Sequence, residues 1–349
     1  MNISILTFPK AINYGTALQA VALKKKLEDY GNEVCFLEHN CPEIEKSNSV
    51  FDFREALNPK YTIAHLYNLR DALKRKNNFK DFQQKYMSFS NAAPQSFDAV
   101  VAGSDQIWNY NLTNDDWFYF LNYEKSNTKK IAYAGSFGLS KLDESKKETI
   151  KNCLLDFDYL SVREKTAQDI LKNDFGINSE LVLDPTLLLN EKEWESFYNK
   201  DLYSNGFIYV YTVFNSPTLW NFAYKLSKQT GKPIRTIRYS KLHKPEAECC
   251  FNAGPSEWLS HISAADYVVT NSFHGVAFSI NFNKQFFFEL PPEKSGVGSR
   301  LADITAQYNL ENREISVTDT HSVIDYTYIN PKLDADRLSS EEFIKQFLK

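Results

Sequence analysis

Cysteine is sparse and unpatterned in this 349-residue chain: Cys35, Cys41, Cys153, Cys249 and Cys250 form no C-x-x-C pair and no even framework. That usage argues against structural zinc and a disulfide scaffold and leaves reduced thiols as the reading. Long apolar runs are missing too, since no segment approaches the roughly 20 residues a bilayer span needs. The opening MNISILTFPK has neither a basic stretch nor a small-residue cleavage site, so no signal peptide is read there and a cytoplasmic location is expected. Positive charge is not in excess: 40 Lys and Arg stand against 44 Asp and Glu, a net charge of −4. Such a balance is unsuited to neutralising a phosphate backbone, and no nucleic-acid partner is expected. Equally absent are the Gly-rich dinucleotide fingerprint, the G-x-x-x-x-G-K-[ST] phosphate loop, H-E-x-x-H, clustered metal ligands and the G-x-S-x-G elbow. No cofactor and no metal are therefore expected.

What is present is a globular composition, 43% hydrophobic and 24% charged, in a chain long enough for two domains. Strand-like runs alternate with helix-like stretches, which predicts α/β layers with largely parallel sheets. Strands are expected at 3–8, 33–39, 97–103, 130–138, 159–164 and 180–189, then at 206–214, 233–239 and 267–270. A helix is expected over 13–31, where Leu18, Val21, Ala22 and Leu27 form a stripe and Gly31 stops it. Residues 42–96 are polar, lack strand patterning and read as a helical insertion over the sheet. The polar stretch 190–205 separates the two strand series. The expected division is a first domain over 1–195, a second over 196–335, and a capped terminal helix over 336–349 folding back on the first.

In open α/β sheets, ligands bind where strand carboxyl ends lead into helix N-termini. Five polar motifs fall at such places: NYG (13–15), GSDQIWN (103–109), GSFG (135–138), RE (163–164) and NSFHG (271–275). Spread over both halves, they suggest a cleft between two domains. Ser272 to Gly275 should open a helix, where orphan N–H groups and the dipole attract an anion. Gly275 would let a ligand approach the backbone, and His274 would add a bond or move a proton. The alternative is a His that merely caps the helix. Arg163, ending an apolar strand, suits bidentate capture of a carboxylate or phosphate, or a salt bridge of the Arg163–Glu164 type. Asp105 and Gln106 suit sugar hydroxyls with Trp108 as a stacking platform, or else form a turn with Trp108 in the core. Asp184 reads as a turn residue before Pro185. The loop 293–300, EKSGVGSR, ends in Arg300 and is either an anion lid or a solvated loop. His39, His65, His243, His261 and His321 read as ordinary.

Taken in order, NYGTALQAVAL, VAGSDQIWN, IAYAGSFG, LSVREKTAQDIL, LVLDPTLLL and TNSFHGVAFSI resemble the polysaccharide pyruvyl transferase family over residues 1 to about 310. The resemblance implies two Rossmann-like domains facing a central cleft, as in GT-B glycosyltransferases. It further implies transfer of the pyruvyl group of phosphoenolpyruvate, a co-substrate rather than a cofactor, to saccharide hydroxyls as a ketal, with phosphate released. By position His274 matches the family's key histidine and Arg163 its donor-binding arginine. Ser272, Gly275 and Arg300 complete the implied donor side. Asp105 is the candidate base, and Asn13, Tyr14, Gln106 and Trp108 would face the acceptor, a nucleotide- or lipid-linked saccharide on the inner membrane face. Some members carry an arginine two residues before the histidine; this chain has Ser272 there, and Arg300 is the candidate replacement. A glycosyltransferase using a nucleotide sugar, and a non-catalytic glycan- or anion-binding protein, are the other readings the residues allow.

Overall fold

The computed structural model describes residues 1–47, 59–124, 126–204, 206–239, 245–291, 298–318 and 322–349, and side chains of the first long insertion helix from residue 67 onward. The first half runs β1 (Asn2–Leu6), α1 (Tyr14–Asp29), β2 (Glu33–Leu37), α2 (Pro42–Ser47), α3 (Pro59–Tyr86), β3 (Phe89–Ser90), β4 (Ala99–Ala102), α4 (Tyr110–Thr113), β5 (Lys129–Gly135), α5 (Glu144–Leu154), β6 (Tyr159–Val162), α6 (Lys165–Phe175), β7 (Glu180–Leu181), α7 (Pro185–Leu188) and α8 (Glu191–Trp194). The second runs β8 (Ile208–Tyr211), α9 (Pro217–Thr230), β9 (Ile234–Ile237), β10 (Glu248–Cys250), α10 (Pro255–Ala264), β11 (Tyr267–Thr270), α11 (Phe273–Asn281), β12 (Gln285–Phe288), α12 (Ser299–Gln307) and α13 (Tyr326–Leu348).

These strands form a seven-stranded sheet ordered β3-β2-β1-β4-β5-β6-β7 and a five-stranded sheet ordered β10-β9-β8-β11-β12. Every pairing is parallel. Helices on both faces explain why β4 and β8 are buried along their whole length, the mark of a doubly covered parallel sheet. In each sheet the strand order reverses at one place, between β1 and β4 and between β8 and β11. Those reversals are the crevices where open α/β sheets accept ligands.

Two expectations are corrected. The stretch 42–96 is not strand-free: Phe89 and Ser90 extend the sheet beside Phe36 and Leu37, a two-residue strand too short to show alternation. The run 180–189 is a strand only over Glu180–Leu181. Asp184 accepts the Thr186 N–H at 2.9 Å and Pro185 occupies the first helical position, so the chain turns into α7. The strands β10 and β12 add to those read from sequence. The terminal helix begins at Tyr326, earlier than the 336 read from sequence.

A continuous apolar cluster crosses from one half to the other, joining Leu18 and Leu187 to Trp258, Phe278 and Phe343. Polar contacts reinforce it. Asn281 of α11 donates to the Thr186 and Leu189 carbonyls at 2.8 Å each, and Arg337 of α13 donates to Asn281 Oδ1 at 2.9 Å and the Leu187 carbonyl at 2.8 Å. Lys129 and Leu183 of the first half bond Phe347 and Ser340 of α13. The insertion helix α3 also bridges the halves: Arg75 donates to the Phe251 carbonyl at 3.0 Å and Asn78 to the Asn252 carbonyl at 2.8 Å. Among the described residues no helix is long and apolar enough to cross a membrane.

Removing the Asn281 amide leaves the buried Leu189 carbonyl and one Arg337 N–H without partners, while the Thr186 carbonyl keeps the Trp194 indole N–H at 3.1 Å. Asn281→Ala should therefore lower the unfolding free energy by about 2–3 kcal/mol, read from urea denaturation; an unchanged midpoint would show that the latch carries no weight.

Candidate functional site

The two reversal crevices face each other. Between them lies a pocket with about 710 Å³ of empty space, part of it open to solvent, lined by Asn13, Thr16, Asp105, Gln106, Asn271, Ser272, His274 and Arg300 among others. The loops after β1 and β4 supply one wall, the loops after β8 and β11 the other, and α12 closes a side. Of the five motifs read from sequence, NYG, GSDQ and NSFHG line this pocket. GSFG and RE lie behind it.

Helix α1 begins at the pocket because Asn13 Oδ1 accepts the Thr16 N–H at 3.2 Å. Helix α11 begins opposite because Ser272 Oγ accepts the Gly275 N–H at 3.3 Å. Both first turns leave N–H groups without intrahelical partners, and both dipoles point their positive ends inward. His274 stands between them. A Cβ added at Gly15 would lie 1.9 Å from His274 Nδ1, so only glycine admits the ring against the α1 backbone. His274 is 8% exposed, and its Nε2 has no hydrogen-bond partner. Burial pushes the imidazole down to about 4, with Asp184 opposing and Arg163 adding to the depression. At neutral pH the ring is therefore neutral. Arg300 shares the pocket, and its Nε also lacks a partner. Burial, then repulsion from Arg163, lowers its affinity for its proton.

Asp105 sits in left-handed backbone conformation, φ 82°, an uncommon state for a residue other than glycine. Its carboxylate accepts the Thr16 hydroxyl at 2.5 Å and its neighbour Gln106 N–H at 2.8 Å. Burial pushes Asp105 up, but Arg163, His274 and the Thr16 bond outweigh it and hold the carboxyl below its usual range. Behind it lies a buried charge cluster. Arg163 donates to Asp184 at 2.6 Å, to Ser104 Oγ at 3.1 Å and to Glu164 at 3.2 Å, with its Nη2 3.6 Å from Asp105 Oδ1. Asp184 is driven to about 2, because Arg163 overcomes the effect of burial. Glu164 goes the other way: burial raises it despite Arg163 and a 2.6 Å bond from Ser136.

These contacts revise several sequence readings. Arg163 has a fully buried side chain among three carboxylates, its Nη2 alone lacking a hydrogen bond; with Nε on Glu164 and Nη1 on Asp184 it is no exposed bidentate fork. The guanidinium also lies 4.7 Å over the Phe273 ring, which ties the cluster to the start of α11. Trp108 is 0% exposed and packs on Phe120 and Phe137, so it is core and no sugar platform. Tyr14 is also sealed, donating to the Ala253 carbonyl at 3.0 Å from among Phe79, Tyr211 and Trp258. Gly275 makes room for Thr270, whose Oγ1 would meet an added Cβ at 2.4 Å, and its own N–H is taken by Ser272; it gives no ligand access to the backbone. Asn13, Gln106, Ser272 and Arg300 do line the pocket. His39 pairs with Asp116 at 2.7 Å and His261 is buried against the Glu257 carbonyl. His243, His321, the His65 side chain and loop residues 292–297 lie outside the described residues.

Sequence reasoning gave no individual role to Gly15, Thr16 or Asn271, although Gly15 and Asn271 fall within the NYG and NSFHG motifs. The signal for Gly15 was available: a glycine in the first turn of a buried helix weakens that helix and needs a packing reason. No local pattern showed the role of Asn271, the first residue of NSFHG, whose amide joins the β8 and β11 loops by accepting from the Val213 N–H at 2.8 Å and donating to the Phe214 carbonyl at 3.1 Å.

Two facing parallel sheets with the pocket at both reversals define a GT-B fold. The chain superposes on UDP-GlcNAc 2-epimerase of Methanocaldococcus jannaschii in complex with UDP-GlcNAc and UDP, with a TM-score of 0.51 at 12% identity over 100% of this chain and 99% of that one. It is also similar to E. coli heptosyltransferase WaaC with ADP, with a TM-score of 0.39 at 9% identity over 86% and 90% of the two chains. No curated protein sequence matches it. The polysaccharide pyruvyl transferase model matches residues 13–288, and the chain belongs to that family.

His274 should titrate near pH 4 in proton NMR, assigned by its loss in His274→Asn. In Gly15→Ala the displaced ring should move toward the solvent value of about 6.5, while circular dichroism stays unchanged. A wild-type midpoint near 6.5 would contradict the burial described here.

Proposed function

We propose that the protein transfers the pyruvyl group of phosphoenolpyruvate onto two hydroxyls of a saccharide, forming a cyclic ketal and releasing phosphate. The observation that carries this reading is the pair of unpartnered donors, His274 Nε2 and Arg300 Nε, at one pocket between two helix N-termini, opposite the ionised Asp105. Membership of the family supports transfer of this kind. Phosphoenolpyruvate brings a carboxylate and a phosphate, and the pocket supplies cationic and N–H donors for both. No metal-bound or cofactor-bound step is needed for the reading.

In the reaction the methylene carbon takes a proton, leaving an oxocarbenium-like C2 that a sugar hydroxyl attacks as its own proton departs. The C2–O bond to phosphate then breaks, and the second hydroxyl adds and loses its proton. One phosphoenolpyruvate and one diol thus give one ketal and one inorganic phosphate. Asp105, ionised and held by Thr16, is placed to receive the hydroxyl proton. His274 is neutral in the free protein. A dianion beside Nε2 favours its protonated form, so substrate binding itself converts the ring into the acid. Arg163 acts through Asp105 and Asp184 as a positioning residue. Asn13 and Gln106 face the acceptor, for which a nucleotide- or lipid-linked saccharide is the proposal, with the work done in the cytoplasm.

Calorimetric titration with phosphoenolpyruvate near pH 6, in buffers of different ionisation enthalpy, tests this. Binding with net proton uptake is expected, with the uptake lost in His274→Asn and affinity at least about tenfold weaker in Arg300→Gln, the loss of one charged hydrogen bond. Phosphate release on adding a saccharide acceptor should follow. If phosphoenolpyruvate does not bind and a nucleotide sugar does, the pyruvyl-transfer reading fails and a glycosyltransferase takes its place.

A further inference from the structure

From Tyr67 to Tyr86, helix α3 carries six cations (Arg70, Lys74, Arg75, Lys76, Lys80 and Lys85) against Asp71 and Asp81, a net of +4 in a chain whose total is −4. The remainder of the molecule therefore carries −8. Helical spacing sorts these side chains. Phe79 and Phe82 are buried against the body of the protein. Arg70, Leu73, Asn77, Lys80 and Gln84 recur at i, i+3, i+7, i+10 and i+14, all exposed, and form the outward stripe, with exposed Lys74 and Lys76 on its flanks.

Elsewhere many surface lysines have a carboxylate within reach, as in Lys24–Glu28, Lys25–Asp29, Lys146–Asp115 and Lys165–Asp169. Arg70, Lys74, Lys76 and Lys80 form no ion pair among the described residues. Exposed Asp81 is the one carboxylate on this face among the described helix residues, so the pattern is a strip of net positive charge on an otherwise acidic protein, and at its centre is Leu73, 48% exposed. An apolar side chain ringed by cations suits the boundary between anionic headgroups and acyl chains. Leu73 gives nothing to a nucleic-acid backbone.

We infer that the outward face of α3 docks the protein onto an anionic bilayer surface. The same helix holds Phe251 and Asn252 of the second half through Arg75 and Asn78, and Arg75 lies 4.3 Å over Tyr239. Docking through α3 would thus bring an edge shared by both halves to the membrane, without any spanning segment. The inference rests on charge placement and not on the pyruvyl-transfer reading, so either can fail without the other.

The test is co-sedimentation of the full chain with vesicles of phosphatidylcholine alone and of phosphatidylcholine mixed with phosphatidylglycerol. Binding to the mixed vesicles only, weakened by added salt, is expected. Each cation near an anionic surface changes partitioning about fivefold, so Lys74→Gln, Lys76→Gln and Lys80→Gln together should weaken it about 100-fold. All three side chains are exposed, and thermal unfolding and phosphoenolpyruvate binding by the triple variant should match the parent. Leu73→Ser should remove the part of the binding that survives high salt. No binding to mixed vesicles, equal binding to both kinds, or binding unaffected by the triple substitution would overturn the inference. Equally tight, salt-sensitive binding to a DNA duplex would also overturn it, by showing a general polyanion surface.

Discussion

The cleft depends on how closely helices α1 and α11 approach, and that approach is set by the Cβ that residue 15 lacks. With glycine there, an imidazole from one half rests on the backbone of the other, 1.9 Å from where a Cβ would stand. Two helix N-termini then converge on one pocket, and the aligned N–H groups of both contribute to its field. The apolar cluster running from Leu18 through Leu187 to Phe278 holds this arrangement closed. Glycine near a helix start gives up about 1 kcal/mol of propensity relative to alanine. The structure uses that concession to build the site.

Behind the pocket, burial and charge act against each other in a definite order. A lone buried guanidinium is unfavourable, and the three carboxylates around Arg163 more than neutralise it. The excess negative charge must go somewhere. Asp184, closest to Arg163, stays ionised down to about 2, while burial raises Glu164, bonded by Ser136, despite its own contact with the cation. Asp105 lies at the pocket edge, is still ionised, and is held in a backbone state that few aspartates adopt. Such a cluster is weak evidence for stability. Its consequence is a fixed carboxylate in front of a rigid base, set opposite an imidazole that burial keeps uncharged.

Much of this plan was legible in the sequence, and the failures have physical causes. Parallel strands buried on both faces appear as short apolar runs, so the loops at their carboxyl ends could be picked out, and three of the five proved to line one pocket. Direction was not legible. A loop tryptophan and a loop tyrosine look alike whether they face solvent or core, and both Trp108 and Tyr14 turned inward. Arg163 followed an apolar strand, but no local pattern could show that Asp184, twenty-one positions on, would consume one of its donors at 2.6 Å. The short β3 carried too little pattern to register, and the partner of α3 in the other half was invisible to local periodicity.

Ser272 shows how one substitution redistributes a site. A serine at the helix cap can accept the Gly275 N–H and let its own N–H go to Thr270 Oγ1 at 3.1 Å; an arginine there supplies charge but makes a poor cap. This chain takes the cap at position 272 and draws its cation from α12, where Arg300 reaches the same pocket with an unpartnered Nε. The pocket's cation thus sits on a helix packed against both α11 and α6, and Asp303, one turn further along α12, accepts the Thr166 N–H of α6 at 2.9 Å. Under the pyruvyl-transfer proposal, donor affinity would then be tied to the seating of α12 between the two halves, and a change that loosens α12 would weaken it while touching neither His274 nor Asp105.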